Sequence, residues 1–190
     1  MKRSTSIIGI TGTPATGKKT VGKLVAEKLG YEFLDINTVA KKLGAGIRTE
    51  DGIEVETSVV YKKLPRLLKG KKAVLVGHLL AHCIPDDHVD FAVVLRCSPQ
   101  ELAKRYAERG YSKTKIKANI VVETIDLCLS EALMRFKKSK VAEIDTTSRK
   151  PREVAEEVIE KLNNPKKRRF GKINWLHLMA EDAGMRNYLK

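Results

Sequence analysis

The chain of 190 residues has little of several things by which a sequence announces its class. It holds three cysteines, Cys83, Cys97 and Cys128, each alone in apolar surroundings, and neither their odd number nor their spacing suits a disulfide framework or a metal site. They read as buried, reduced thiols. No apolar run approaches the ~18 residues of a membrane span, and Met1 to Thr5 lead into a stretch too short and too glycine-broken for a signal peptide. The expectation is a soluble, cytoplasmic protein with no membrane partner. Internal repeats are absent too. Acidic residues are scarce, 23 against 37 Lys and Arg, which leaves a net charge of +14. That excess suits a polyanionic partner, and it suits equally the charge-rich, solvated surface of a heat-adapted protein. With 42% hydrophobic residues the chain can bury one good core, with small insertions, and shows no sign of two large ones.

What is present begins with Gly12-Thr13-Pro14-Ala15-Thr16-Gly17-Lys18-Lys19-Thr20, which follows the apolar run Ser6 to Thr11 and opens a helix-patterned stretch. Glycines let the backbone bend so that successive N–H groups converge on phosphate oxygens. Lys18 adds a point charge near the β- and γ-phosphates, and the helix N-terminus adds its partial positive charge. The segment therefore predicts a site for a nucleoside triphosphate; the plainer reading is a glycine-rich strand-to-helix turn that ends in lysine. Two departures stand out. Lys19 occupies the position where such loops commonly carry Ser or Thr as a magnesium ligand, so the hydroxyl arrives one place later at Thr20. Ala15 replaces a common loop glycine, which restricts positive φ or narrows the approach to phosphate.

Val21, Leu24, Val25 and Leu29 recur at helical spacing, and Gly30 ends that helix before a short strand, Tyr31 to Asp35. The stretch from Asn37 to Lys69 is polar and helix-prone, broken at Gly44, Gly46 and Gly52, and reads as an insertion covering a sheet. Two continuous apolar runs, Ala73 to Val76 and Phe91 to Leu95, suit strands buried on both faces. Each ends in a polar residue, His78 and Arg96, which the rule for open α/β sheets places near the phosphate loop. A helix from Pro99 to Arg109, a break at Gly110, a long helical pattern from Lys113 to Phe136, a strand Val141 to Asp145 and a helix from Pro151 to about Leu162 follow. The expected fold is α/β, a doubly wound, parallel five-stranded sheet of the phosphate-loop NTPase type. From Asn163 the pattern changes to a basic linker, Pro165 to Arg169, and a short amphipathic piece, Ile173 to Met179.

Phosphoryl transfer needs fixed cations and N–H groups around the transferred group. Arg105 and Arg109, four apart at the Gly110 break, read as one face of a small lid or as a solvated helix face. His78 stands where phosphate-loop enzymes usually carry a magnesium-contacting aspartate, with no carboxylate until Asp86 and Asp87. It is either structural or a partner of the attacking group or the γ-phosphate, and magnesium is expected to rest mainly on phosphates and water. Thr147 to Pro151 follow the last strand, where a loop residue could lie against the adenine or reach its phosphates, although helix N-capping by Ser148 or its neighbours explains the composition as well.

The loop from Gly12 to Thr20, Gly77-His78, Val94-Leu95-Arg96, Arg105, Arg109-Gly110-Tyr111, Asn119-Ile120, Glu123 and Lys150-Pro151 together resemble the adenylate kinase isoenzyme 6 family, with archaeal members, over residues 6 to about 162. The resemblance implies a broad-specificity nucleoside monophosphate kinase that converts ATP and AMP to ADP, hydrolyses ATP as well, uses Mg2+, and assists late maturation of the small ribosomal subunit and rRNA processing. It implies contact with small-subunit ribosomal protein eleven, and the basic tail adds rRNA as a possible partner. Carried over by position, Gly12, Ala15, Gly17, Lys18, Lys19 and Thr20 hold the triphosphate, Thr20 serves the metal, Arg109 is the lid contact and Lys150 lies by the adenine. Lys18, His78, Arg105 and Arg109 form the candidate catalytic set. The monophosphate-binding insertion is expected at about 35–58 and the lid at about 108–118, within a kinase domain of residues 1–163 that a basic extension, 164–190, follows. An ATP-switched ribosome-assembly factor whose kinase activity is incidental is the alternative, with another small-molecule kinase behind it.

Overall fold

The computed structural model describes residues 5–49 and 52–182, together with Met185 and Tyr188. The first four residues, the charged pair Glu50 and Asp51 of the insertion, and the remainder of the tail past 182 lie outside the described residues.

Five parallel strands, β1 (Ser6–Thr11), β2 (Glu32–Asp35), β5 (Lys72–Val76), β6 (Phe91–Arg96) and β7 (Val141–Asp145), form one sheet in the order β2-β5-β1-β6-β7. The helices are α1 (Lys18–Leu29), α2 (Ile36–Lys42), α3 (Thr57–Leu68), α4 (Leu80–Cys83), α5 (Pro99–Glu108), α6 (Lys113–Thr124), α7 (Leu127–Arg135), α8 (Pro151–Asn163) and α9 (Trp175–Glu181). The pleat sends alternate side chains to opposite faces. Ile8, Ile10, Val74, Val76, Val93 and Leu95 therefore meet Val21 and Val25 of α1 and Val154 and Val158 of α8. Ile7, Leu75, Ala92 and Val94 meet Leu64 and Leu68 of α3, Leu80 of α4 and Leu129 and Ala132 of α7. Both faces are covered over the inner strands, which is why β5 and β6 read as unbroken apolar runs.

The insertion contains more than helix. Between α2 and α3 a two-stranded antiparallel hairpin forms from β3 (Gly46–Thr49) and β4 (Gly52–Val55). Its polar residues hid it, because its edges and one face stand outside the core. The long helical pattern of residues 113–136 is two helices, not one. Asp126 adopts the left-handed conformation at φ 57° and ends α6 before α7 starts, and its carboxylate meets the Arg96 guanidinium. A buried charge from a neighbouring strand thus overrides the local periodicity.

The segment after α8 is fastened to the body of the protein. Glu143 of β7 donates its N–H to the Arg169 carbonyl at 2.8 Å and accepts the Gly171 N–H at 2.9 Å. The Arg168 guanidinium lies over the Phe91 ring and donates to the carbonyls of Lys161 and Leu162 at the end of α8. Met179 of α9 is fully buried beside Tyr106, Ile120 and Ala15. Cys83, Cys97 and Cys128 are free and buried, and burial pushes their thiols up to about 12, 11 and 11, so they are packing residues.

Candidate active site

Parallel strands feeding helices leave a crevice at their carboxyl ends where the strand order reverses, and β1 is flanked there by β5 and β6. The loop after β1 turns sharply into α1. Gly12 sits at φ 136°, and a Cβ there would lie 2.2 Å from the Leu95 carbonyl oxygen, so no other residue lets the loop pass the end of β6. Ala15 and Gly17 both take positive φ, 66° and 92°, which curls the backbone into a concave nest. Ala15 therefore does not avoid the left-handed region that glycine would occupy more cheaply; its methyl is instead buried among Tyr106, Leu102 and Met179. Gly17 caps α1 without any side-chain hydrogen bond, and the first turn of α1 has no acidic residue. The N–H groups of a twelve-residue helix thus face the crevice with no carboxylate supplied to meet them.

The loop is braced from behind. The Thr13 carbonyl accepts Lys18 Nζ at 2.7 Å and Thr16 Oγ1 at 2.9 Å. Tyr106 donates its hydroxyl to the Pro14 carbonyl at 2.7 Å, Arg105 Nη1 reaches the Ala15 carbonyl at 3.0 Å, and Thr146 Oγ1 reaches the Thr16 carbonyl at 3.2 Å. Thr13 Oγ1 donates to Glu123 Oε2 at 2.5 Å. Glu123 is the hub of a buried ionic cluster. Its other oxygen accepts Arg96 Nε at 2.7 Å, the Cys97 N–H at 3.1 Å and the indole N–H of Trp175 at 3.0 Å. Burial pushes this carboxyl up, against the pull of Arg96 and of the Thr13 hydroxyl. Arg96 also meets Glu143 at 2.6 Å and Asp126.

In front of the loop lies a cleft of about 580 Å³ lined by Ala15, Gly17, Lys18, Lys19, Thr20, Asp35, His78, Arg109, Tyr111, Lys115 and Asn119 among others. Lys18 is held down to about 8, first by burial and then by Arg109 and Lys19, with Cys128 and Glu123 pulling the other way. The pocket wall and the Lys18 charge push the His78 imidazole below its ordinary value, so it is neutral at pH 7. Lys19 bonds Asp35 Oδ2 at 2.9 Å, and the other oxygen of Asp35 caps α2 through the Thr38 N–H at 3.1 Å.

Of the residues expected from sequence, Ala15, Gly17, Lys18, Lys19, Thr20, His78 and Arg109 come together on this cleft. Gly12 shapes the loop without lining it. Arg105 and Arg109 do not act as one face: Arg105 turns behind the loop to Ala15 and to Glu101 at 3.1 Å, while Arg109 faces the cleft. Lys150 is exposed at the N-terminus of α8, outside the cleft lining, and its N–H bonds Glu153 at 3.3 Å. Arg96 does fall near the loop, but it is spent on the buried cluster. Sequence reasoning assigned no individual site role to Asp35, Asn37, Ile53 or Lys115, nor to Tyr111 and Asn119, which stood only among the motifs of the family resemblance. The carboxylate sought after Gly77 comes from the adjacent strand, since Asp35 pairs with Val76 across β2 and β5; Asp86, the next carboxylate in sequence, is bound to Lys140 at 3.1 Å. Among the described residues no group of three or more His, Cys, Asp or Glu side chains could cage a metal ion, and none of the helices is long and apolar enough to cross a membrane.

Residues 8–126 match a family model described as an AAA domain. The chain is 41% identical over 175 residues to a Pyrococcus abyssi protein named "Putative adenylate kinase", covering 92% of this chain and 94% of that one. It is 40% identical over 175 residues to a Thermococcus gammatolerans protein of the same name, covering 92% and 96%. Among solved structures it resembles the shikimate kinase of Acinetobacter baumannii, with a TM-score of 0.59 at 20% identity over 87% of this chain and 96% of that one, which is a likeness of fold. A nest over an uncapped helix, a half-buried lysine beside it and near-full-length relatives at this identity lead to one conclusion: the chain belongs to this archaeal adenylate kinase family and is a phosphate-loop, nucleotide-binding kinase.

Proposed function

We propose that the chain is a nucleoside monophosphate kinase of adenylate kinase type, with slow ATP hydrolysis beside the transfer. The observation that carries this reading is the gathering of Lys18, Lys19, Arg109 and Lys115 on one cleft with Asp35 as its carboxylate. Phosphoryl transfer spreads charge over three oxygens, and cations fixed beforehand stabilise that charge without reorganising. An oxygen of the monophosphate attacks the γ-phosphorus as the bond to the β-phosphate oxygen breaks, so ATP and AMP leave as two ADP. The nest and Lys18 hold the triphosphate, Arg109 approaches from the lid, and Asn37 and Ile53 of the insertion supply the facing wall for the monophosphate. His78, neutral at pH 7, is suited to hydrogen-bond the attacking group or a phosphoryl oxygen.

The donor set fits magnesium carried on the nucleotide rather than caged by protein. Thr20 offers a hydroxyl on the cleft, and Asp35 is already held by Lys19. When bound, the ion neutralises phosphoryl charge. Purified protein given ATP, AMP and Mg2+ should form ADP from both nucleotides, and Lys18→Ala should lose this activity at least 100-fold. Equal turnover by that variant, or turnover of other acceptors such as small-molecule alcohols in place of AMP, sinks the reading.

A second reading, an ATP-switched factor in small-subunit ribosome maturation, is favoured by the net charge of +14 and by the fastening of the basic extension to the loop support through Trp175 and Glu123. Here the cytoplasmic protein holds small-subunit ribosomal protein eleven in one nucleotide state and lets it go in another. Pull-down of that protein with and without ATP tests it, and equal capture in both states, or none at low salt, removes it. If the extension touches rRNA, replacing Lys166, Lys167 and Lys172 by Gln should flatten the dependence of affinity on salt. Substitution serves better than truncation, which would also uncover Met179.

A further inference from the structure

Asn119 is a polar residue of the cleft that no role above absorbs. It lies on α6, seven residues beyond the Ser112 cap, and lines the cleft with Arg109, Tyr111 and Lys115. Its amide nitrogen, Nδ2, is out of contact with solvent and has no hydrogen-bond partner among the described residues. Buried amide groups are almost always paired, since water lost on burial must be replaced. The neighbouring polar groups show how unusual this is. Thr124, one turn further along α6, bonds the Ile120 carbonyl at 2.8 Å, and Glu123 has donors on both oxygens.

Resting on the kinase reading, we infer that Asn119 is a ligand for a phosphoryl oxygen of the nucleotide, donating its amide N–H groups to it. Asn119 is itself a residue of the cleft wall, and χ2 is a soft torsion, so the amide can turn toward the cavity without moving α6. Amide chemistry suits the place. Lys18 is already held down, first by burial and then by the charges of Arg109 and Lys19; another cation would press it further, whereas an amide adds two donors and no charge. The ligand is also an acceptor-rich anion, which matches an amide with an unmet donor on a cleft-lining residue.

The test is calorimetric titration of the full chain and of Asn119→Ala and Asn119→Asp with ATP, inorganic tripolyphosphate, AMP and adenosine. The alanine variant should bind tripolyphosphate and ATP about 10-fold or more weakly, and the near-isosteric aspartate variant at least 100-fold, because a carboxylate repels phosphate. A loss for AMP without one for adenosine places the oxygen on the monophosphate; a loss for tripolyphosphate places it on the triphosphate. The melting temperature of ligand-free Asn119→Ala should equal or exceed that of the wild type, because no bond is lost; a residue that merely holds the fold would lower it. Affinities within twofold of wild type for every ligand overturn the inference and leave the kinase reading intact. So does a loss for ATP and adenosine alone, which reports a contact to base or ribose. Wild-type protein that binds neither ATP nor tripolyphosphate overturns both.

Discussion

Replacing Lys18 by methionine should stabilise the nucleotide-free protein while abolishing phosphate binding. At neutral pH the folded chain keeps a buried ammonium whose pKa is about 8 against an ordinary 10.5. At about 1.4 kcal/mol per pH unit, holding that charge costs the fold about 3 kcal/mol. Part of the side chain still meets the open cleft, which trims the penalty to about 2 kcal/mol. Losing the 2.7 Å bond to the Thr13 carbonyl takes back about 1 kcal/mol. The variant should thus gain about 1 kcal/mol at pH 7, a rise in melting temperature of about 2–4 °C for a chain of this size. The sign with pH is definite. Between pH 8 and 10.5 the unfolded chain holds a proton at residue 18 that the folded chain has released, so the stability of the wild type rises there and the gap closes. Denaturant unfolding of both proteins in phosphate-free buffer from pH 7 to 10.5 measures it, and the titration of groups beyond the reach of the Lys18 charge cancels in the difference. Adding ATP should then reverse the order, because only the wild type gains binding energy. A methionine variant less stable at pH 7, or a gap that stays constant up to pH 10.5, refutes the reasoning.

The same charge acts on His78. Its imidazole should titrate below 6.5 by NMR and move upward in Lys18→Met, since the second cause of its depression is gone; an unmoved midpoint would show that Lys18 does not reach it. Trp175→Phe removes the N–H held by Glu123 at 3.0 Å and should cost about 1 kcal/mol in denaturant unfolding, with the KM for ATP rising several-fold through Thr13. Trp175 is the sole tryptophan of the chain, so its fluorescence in the wild type should respond to ATP, and a flat signal counts against the coupling. Glu123→Gln takes the charge from beside the fully buried Arg96 and should cost about 3–5 kcal/mol, which circular dichroism under denaturant will read; a loss under 1 kcal/mol would mean that Asp126 and Glu143 suffice.

Apolar patterning made the main sheet legible because its inner strands are buried on both faces and its helices on one. It failed in the insertion, where the β3–β4 hairpin leaves most of its described residues exposed and offers only the short alternation of Ile53 and Val55 with Glu54 and Glu56. It failed again at Asp126, whose backbone turns to serve a charge on β6 that lies 30 residues away. The outline of the phosphate loop could be read because its turn and its lysine are set by neighbours along the chain, whereas its bracing by Tyr106, Arg105, Thr146 and Glu123 comes from distant elements. Spacing on a helix misjudged Arg105: it is four residues from Arg109, yet the loop carbonyl behind it captures it.

Linear order carries local chemistry well. From residues 12–20 alone came the turn of converging N–H groups, the helix start after it and the lysine beside both, because these depend on neighbours along the chain. Strand pairing decided the rest. The carboxylate missing after Gly77 was supplied by Asp35, since β2 lies beside β5, and Glu123, more than 100 residues from Thr13, fastens the loop both to Arg96 and to the C-terminal segment. Such contacts arise when helices pack against the ends of strands, and no periodicity in the chain encodes which side chains then meet.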